Sequence, residues 1–192
     1  MIVFVGGLIG AGKSSVARQL ADRLGYYYFD LDEIKRDIYG RDPDNKRKLV
    51  EGIPIDLTTR GEVYRTAIAE LETLISAHPN VVFDDTLHFR QFRRMLYVAV
   101  TDMGQDFIMV WVRASESTIL TRLAAAPRLN HVLSDPVPLH LQMVRDFEEF
   151  SHCLVMCPND GALDDTLDDL CSLLGRVGSL ELPVGASGAD CQ

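Results

Sequence analysis

Apolar residues along this chain alternate between short continuous runs and longer stretches in which they recur at helical spacing. Five runs have the length and the β-branched or aromatic content of buried strands: 1–5, 26–29, 81–83, 107–112 and 152–157. Between these runs, apolar residues repeat with a period near four, which is typical of helices that bury one face. Strands that alternate with helices predict an α/β fold in which helices cover both faces of a parallel sheet.

The same pattern predicts where the helices begin and end. We expect one helix that includes Val16–Leu24 and stops at Gly25, one that starts at Ser115 or Ser117, and others at 33–39, 59–75, 90–101, 139–150 and 163–174. Thr59 and Glu62 have the spacing of a capping box at the start of the longest helix. Residues 41–58 are polar and contain two prolines, which predicts a mobile loop or a broken helix. We therefore expect one domain over residues 1–175 and a flexible tail over 176–192.

A glycine-rich motif separates the first strand from the first helix. Residues 7–14 read Gly-Leu-Ile-Gly-Ala-Gly-Lys-Ser and match G-x-x-x-x-G-K-[ST] in the strand–loop–helix context that this motif requires. The glycines let successive N–H groups surround a polyphosphate at a helix N-terminus, while Lys13 reaches the β- and γ-phosphates and the Ser14 hydroxyl binds Mg²⁺. The alternative is a glycine-rich turn with an accidental lysine. The predicted nucleotide-binding residues are Gly7, Gly10, Ala11, Gly12, Lys13, Ser14 and Ser15.

Composition and charge narrow the class of protein. The chain has 192 residues, of which 47% are hydrophobic and 24% are charged, as in ordinary globular domains. Its net charge of −9 disfavours nucleic acid as a partner, since a sequence-independent grip on phosphates needs a basic face. No apolar run approaches the ~20 residues of a membrane span, and no signal peptide is recognisable. The four cysteines lack C-x-x-C pairs, so we interpret them as incidental thiols of a cytoplasmic protein.

Carboxylates follow two of the predicted strands, at the sheet edge where α/β proteins bind ligands. Asp30 and Asp32 follow the second strand, and we expect Asp32 to act as the base for an acceptor hydroxyl or to orient it. Asp84 and Asp85 follow the third strand, where a carboxylate binds Mg²⁺ or the substrate hydroxyl, and Asp84 is preferred. The alternative for each pair is a helix cap: helix 33–39 for the first and helix 90–101 for the second.

Two arginines lie in a predicted helix–loop–helix lid over about 122–138. Arg122 and Arg128 are expected to pair with phosphate oxygens and to offset transition-state charge, although solvated surface arginines are an equal alternative. His88 and His131 fall in the predicted functional loops, where a lone histidine is usually a surface residue.

Further basic residues follow the two acidic pairs. Lys35 and Arg36 lie one turn beyond Asp32, and Arg90 opens the helix after Asp84, so all three are candidates for binding an anionic substrate. Arg93 and Arg94 belong to the same basic stretch as Arg90. The alternative for these residues is a solvated basic face.

These motifs and candidate residues, taken together, make the chain resemble small P-loop kinases of the AAA-like group. The members it resembles include chloramphenicol phosphotransferase, zeta-toxin-like proteins, gluconate and shikimate kinases, and the kinase domain of polynucleotide kinase. The resemblance covers roughly residues 1–174 and depends on four stretches, of which only the first is highly specific: 7–14, 32–40, 81–94 and 122–148.

The resemblance implies a fold and several residue roles. Similar proteins are P-loop NTPase three-layer sandwiches with a five-stranded parallel sheet in the order 2-3-1-4-5. Their usual general base supports Asp32, the carboxylate after their third strand supports Asp84, and their lid arginines support Arg122 and Arg128. Two departures stand out: Leu87 occupies a position where many relatives have Asn, and the two lid arginines are six residues apart.

These observations predict an ATP-dependent kinase that uses Mg²⁺ and phosphorylates a hydroxyl of a small molecule, either a metabolite or an antibiotic. We expect residues 41–58 and the lid to determine the acceptor. One alternative is a polynucleotide 5′-hydroxyl kinase, favoured by the basic stretches at 46–48 and 90–94. Another is a nucleotide-binding regulator or toxin-like module with little turnover.

Overall fold

Five parallel strands form the centre of the computed structural model, which describes residues 1–51, 53–125, 136–148, 150 and 154–177. The strands are β1 (Ile2–Gly6), β2 (Tyr27–Asp30), β3 (Val81–Asp84), β4 (Phe107–Arg113) and β5 (Leu154–Pro158). Their order is β2-β3-β1-β4-β5, and each strand is parallel to its neighbours. Phe4 of the central strand is level with Phe83 of β3 and Met109 of β4. The predicted sheet and its strand order are confirmed.

Helices cover both faces of this sheet. They are α1 (Lys13–Leu24), α2 (Leu31–Gly40), α3 (Pro43–Glu51), α4 (Leu57–Leu74), α5 (Arg90–Asp102), α6 (Glu116–Ala125), α7 (Pro136–Arg145) and α8 (Leu163–Val177). Successive side chains of a strand point to opposite faces, so Ile2 and Phe4 pack in the core under α2, α4 and α5. Val3 and Val5 pack in the second core, under α1 and α8. β1 is therefore buried on both sides, as its unbroken apolar sequence predicts.

Three helices begin at residues other than those predicted, and one of them is α7, which spans Pro136–Arg145 rather than 139–150. α2 begins at Leu31 rather than residue 33, because the Asp30 side chain caps it by accepting a hydrogen bond from Asp32 N at 2.9 Å. α4 begins at Leu57, and its cap is Asp56 rather than Thr59. The Asp56 carboxylate accepts from both the backbone N–H and the hydroxyl of Thr59, at 2.9 and 2.8 Å. Asp32 therefore lies in the first turn of α2, and its own side chain does not cap that helix.

The segment predicted as a mobile loop or broken helix contains the helix α3. Its basic residues are paired with acids of the same helix: Arg47 with Asp44 and Glu51, at 2.6 and 3.0 Å, and Lys48 with Asp44 at 2.8 Å. Pairs at these spacings support a short exposed helix that local composition alone made uncertain. The same pairs neutralise most of the basic stretch at 46–48.

Two acidic residues of α8 pair with a basic residue of α1. Arg23 at the end of α1 bridges Asp164 and Asp168, with 2.6 Å to Asp164. α8 continues to Val177, and residues 126–135 and 178–192 lie outside the described residues, as do Arg128, His131, Cys153 and Cys191. Among the described cysteines, Cys157 is buried and Cys171 partly so, and both are free thiols. The helices of the described part are too short or too polar to cross a membrane.

Candidate active site

The glycine-rich loop connects β1 to α1 in a conformation that needs glycine at two positions. Gly10 and Gly12 have φ of +83° and +88°, in the left-handed region that disfavours side chains. A Cβ on Gly12 would lie 2.4 Å from Asn159 Nδ2, so that neighbour also excludes a side chain. α1 starts immediately after Gly12, with Lys13 and Ser14 in its first turn. The loop thus ends in an open helix N-terminus, which is the kind of site that binds phosphate.

Two side chains distant in sequence fix this loop from the side of β5. Asn159 Nδ2 donates to Ala11 O at 2.9 Å. Arg122 of α6 donates through Nη1 to Ala11 O at 3.1 Å and through Nη2 to Asn159 O at 2.8 Å. Arg122 therefore lies beside the phosphate loop. Asn159 was missed, because residues so far apart along the chain leave no local sequence signal.

Asp84 lies at the end of β3, almost completely buried. Its Oδ2 accepts a hydrogen bond from the Tyr28 hydroxyl at 2.8 Å, whereas its Oδ1 has no hydrogen-bond partner in the described part of the chain. Burial raises the pKa of Asp84, and the nearby Lys13 and Ser14 oppose that rise. A buried carboxylate oxygen without a partner, close to the Ser14 hydroxyl, fits the oxygen ligands that Mg²⁺ prefers.

Asp32 and Asp85 share one cation, Lys35 of α2. Lys35 Nζ lies 2.7 Å from Asp32 Oδ1 and 2.5 Å from Asp85 Oδ1. The charge of Lys35 lowers the pKa of Asp32, and Lys13 lowers it further. Burial opposes the charged form of Lys35, but the two carboxylates raise its pKa well above the usual value. Because its pKa is lowered, Asp32 is ionised at pH 7, and its side chain is 55% exposed and lines the cavity.

Asp85 is the opposite case, with a fully buried side chain. Besides Lys35, its carboxylate accepts hydrogen bonds from the Tyr64 hydroxyl and from Leu87 N, the latter at 3.2 Å. Burial alone would raise the pKa of Asp85, but Lys35 and these donors bring it below the usual range. Asp85 therefore anchors Lys35 and the turn after β3, and it caps no helix: α5 has Phe89 as its N-cap.

The turn after β3 contains a strained residue. Leu87 has a φ of +51° although it is neither glycine nor asparagine, and its side chain is fully buried. Asp85 holds its N–H, and Arg93 Nη1 donates to its carbonyl at 2.7 Å. Many of the kinases that the chain resembles have asparagine at this position. An asparagine would accept this left-handed conformation more readily than leucine does.

His88 follows Leu87 and forms a cluster with Arg60, a residue that sequence reasoning missed. Arg60 Nη1 lies 3.5 Å from His88 Nε2, and Thr86 Oγ1 lies 3.1 Å from His88 Nδ1. Since a guanidinium can only donate, Nε2 accepts and Nδ1 carries the proton. Burial, helped by Arg60 and Lys35, lowers the pKa of His88 to about 4, so the ring is neutral at pH 7.

One cavity of about 590 Å³ lies among these groups, and neither Asp84 nor Asp85 is among the residues that line it. The predicted residues that line it are Gly10, Gly12, Lys13, Ser14, Ser15, Asp32, Lys35, Arg36 and Arg122. Ala11 is buried beneath the loop, and Gly7 is packed so that a Cβ would lie 2.9 Å from Val112 O. On the lid side, Leu139 and Met143 of α7 face the cavity, and His140 donates from Nδ1 to Ile9 O at 3.1 Å.

The three arginines of α5 differ from one another in exposure, and none of them lines the cavity. Arg90 is exposed and is not among the residues lining the cavity, and its backbone N–H donates to a Glu148 carboxylate oxygen. Arg93 is buried, contrary to the solvated basic face considered for this stretch. It donates to Leu87 O and Glu148 O, each at 2.7 Å, and lies over the Phe150 ring. Arg94 is exposed.

A parallel sheet in this strand order, with a glycine-rich loop and Lys13-Ser14 at its central strand, defines the class: a P-loop nucleotide-binding domain with the fold of small kinases. Within that class, the family described as AAA domain matches residues 2–147. The chain belongs to this family. No curated protein sequence matches it significantly.

Solved structures of similar fold match nearly the whole length of the chain. A sugar kinase from Janibacter sp. HTCC2649 has a TM-score of 0.69 and 17% identity, covering 91% of this chain and 94% of its own. A gluconokinase from Sinorhizobium meliloti 1021 has a TM-score of 0.68 and 22% identity, covering 93% of both chains. The APS kinase of Mycobacterium tuberculosis, in complex with AMPPNP and APS, has a TM-score of 0.61 and 20% identity, covering 91% of this chain and 96% of its own. At these identities the likeness establishes the fold.

Proposed function

We propose that the protein is an ATP-dependent phosphotransferase that moves the γ-phosphoryl group to a hydroxyl of a small molecule, a metabolite or an antibiotic. One observation carries the proposal: Lys13 and Ser14 of the phosphate loop line the same cavity as the half-exposed carboxylate of Asp32. A volume of about 590 Å³ lies in the range of small-molecule sites. The kinase fold and the AMPPNP complex of one structural neighbour support ATP as the donor.

In this proposal the nucleotide binds through its phosphates. Loop N–H groups at Gly10 and Gly12 and the N-terminus of α1 surround the β-phosphate, and Lys13 pairs with the β- and γ-phosphates. The N–H of Ala11 instead donates to Leu8 O within the loop, at 3.1 Å. Ser14 Oγ and Asp84 Oδ1 are the protein groups that would hold Mg²⁺, which offsets phosphate charge when it is bound. Ser15 adds a hydroxyl on the same turn.

The remaining side chains of the site act in the phosphoryl-transfer step. The acceptor oxygen forms a bond to the γ-phosphorus, the bond from that phosphorus to the β–γ bridging oxygen breaks, and ADP leaves. Asp32 orients the hydroxyl and takes its proton, which then passes to water. Its lowered pKa suits a late proton transfer, because the acceptor oxygen becomes acidic only as the phosphorus bond forms. Lys13, Arg122 and, from the lid, Arg128 offset the charge on the moving group.

The experiment is a screen of ATP, Mg²⁺ and a library of hydroxyl compounds, read out by mass spectrometry as addition of HPO₃. The Asp32→Asn variant should lose at least about a hundredfold in kcat while binding ATP as the parent does. Asp37→Asn is the matched control, since Asp37 is an exposed carboxylate on the same helix, paired with Arg41. ATP binding without any phosphorylated product, unaffected by Asp32→Asn, would instead favour a nucleotide-binding regulator.

Nucleic acid is the less supported acceptor. Arg47 and Lys48 are paired with acids of α3, and Arg93 is buried, so three of the six basic residues in the two stretches that favoured nucleic acid make internal contacts. Lys46, Arg90 and Arg94 are exposed. We also propose a cytoplasmic site of action, because the ATP that this reaction consumes is supplied there.

A further inference from the structure

The half of the cavity beyond the phosphate loop has mainly apolar walls. They are formed by the end of α3, the segment leading to α4, and the start of α5: Leu49, Ile53, Pro54, Ile55, Phe89 and Phe92. A polyhydroxylated acceptor would place hydroxyl groups against these side chains without hydrogen-bond partners. Such unpaired groups are strongly unfavourable in a buried site. The walls instead suit an acceptor with an apolar or aromatic body.

Arg60 is one of the cavity cations that have no carboxylate partner in the described part of the chain. Arg60 donates through Nε to Ile55 O at 2.9 Å, and its guanidinium lies 5.2 Å from the centre of the Phe89 ring. Its neighbour His88 is neutral at pH 7 and accepts from Nη1, so it supplies no counter-charge. Nη2 has no partner among the described residues. Lys35, by contrast, is already shared by two carboxylates.

Arg60 lines the same cavity as the proposed base. Tyr39 lies in the wall of that cavity together with Arg60 and Asp32. An acceptor held in the cavity can therefore contact both Arg60 and Asp32. The cavity walls in the described part carry Lys13, Lys35, Arg36, Arg60 and Arg122 against one lining carboxylate, Asp32, in a chain whose net charge is −9.

We propose that the acceptor is an amphipathic alcohol bearing one acidic group. Its anion binds the guanidinium of Arg60, its apolar body packs against Phe89, Phe92 and the 53–55 segment, and its hydroxyl reaches Asp32. This inference rests on the proposed kinase function and narrows it. Arg60 is then a specificity residue, since a held guanidinium pairs with carboxylate or phosphate oxygens bidentately.

The test uses four classes of acceptor with ATP and Mg²⁺. They are apolar hydroxy acids (4-(hydroxymethyl)benzoate and longer aryl or alkyl hydroxy acids), the methyl esters of these acids, gluconate, and sorbitol. The parent protein should phosphorylate the apolar hydroxy acids in preference to the other three classes. Arg60→Gln should raise KM for those acids about tenfold or more and leave KM for the esters nearly unchanged. Arg65→Gln is the control, because Arg65 is exposed one turn along α4 and does not line the cavity.

Two results would overturn the inference while leaving the kinase proposal intact: gluconate or sorbitol as the preferred acceptor, or an Arg60→Gln effect that is equal for acids and esters. Absence of product from every class would contradict the kinase proposal itself. In that case, binding of the same compounds in the presence of ADP, measured by saturation-transfer NMR, tests the proposed acceptor class without requiring turnover. Binding of the apolar acids that is lost in Arg60→Gln and kept in Arg65→Gln supports it, and no such difference contradicts it.

Discussion

Replacement of Asp85 by asparagine tests whether a buried carboxylate organises the acceptor side of the cavity. In the parent, Oδ1 accepts from Lys35, and Oδ2 accepts from both Tyr64 and Leu87 N. An asparagine has one acceptor and one donor. With its oxygen toward Lys35, its NH₂ meets the N–H of Leu87; in the flipped orientation, its NH₂ meets the Lys35 ammonium. Neither orientation satisfies every partner.

The expected loss in free energy of unfolding follows from the burial of the Lys35–Asp85 ion pair. Removal of one partner from a buried ion pair destabilises by about 3–5 kcal/mol. Lys35 is 20% exposed and keeps Asp32, so we expect a smaller loss, about 2–4 kcal/mol. For a chain of this size that lowers Tm by roughly 5–15 °C. Urea unfolding at pH 7 measures the free energy directly, with Asp37→Asn as the exposed control, expected within about 0.5 kcal/mol of the parent.

The pH dependence supplies an independent check. Because the pKa of Asp85 is lowered in the folded state, its stabilisation is fully present above the pKa of an unfolded aspartate, about 3.9, and is lost as pH falls toward the folded value. The difference in free energy of unfolding between parent and variant should be constant from about pH 5 to 8 and should shrink below about pH 4. A loss under about 0.5 kcal/mol at pH 7, or a difference that grows on acidification, would refute this reasoning.

Three further substitutions test other parts of the site. Gly12→Ala should weaken ATP binding at least about tenfold by equilibrium dialysis, because the new Cβ meets Asn159 at 2.4 Å and φ is +88°; unchanged affinity would contradict the loop geometry. Tyr28→Phe should lower the free energy of unfolding by about 1–2 kcal/mol in urea, since it removes the hydrogen bond to the buried Asp84; a neutral result would show that water satisfies that carboxylate. Leu87→Gly should be more stable than Leu87→Ala by about 1 kcal/mol in thermal unfolding, the reverse of the usual order, because φ is +51°.

The parts of the fold that depend on local pattern were predictable from the sequence. The central strand is apolar throughout and buried on both faces, and the G-x-x-x-x-G-K-[ST] spacing requires a strand before it and a helix after it. The strand order came from the resemblance and is confirmed by the sheet. Boundaries were less accurate where two caps compete: Asp56 and Thr59 both suit an N-cap, and only the three-dimensional structure identifies Asp56.

The contacts that build the site were less predictable, because most of them join distant residues. Arg60 reaches His88 and Asn159 reaches Ala11, and neither pair leaves a periodic or motif-based signal. The burial of Arg93 was hidden for the same reason, since its partners include the Glu148 carbonyl. By contrast, the positions of Lys13, Asp32 and Arg122 around one cavity follow from a general property of parallel sheets, whose carboxyl ends share one edge.

The binding of ATP and Mg²⁺ to a Lys13→Ala variant, measured by isothermal titration calorimetry, tests the central claim most directly. Lys46→Ala, at an exposed lysine of α3, is the matched control. We expect the Lys13 variant to bind ATP at least about tenfold more weakly, since a charge-assisted contact to the β- and γ-phosphates is lost, and the control to bind as the parent does. Equal affinity of the parent and the Lys13 variant would contradict the assignment of this loop as the ATP site.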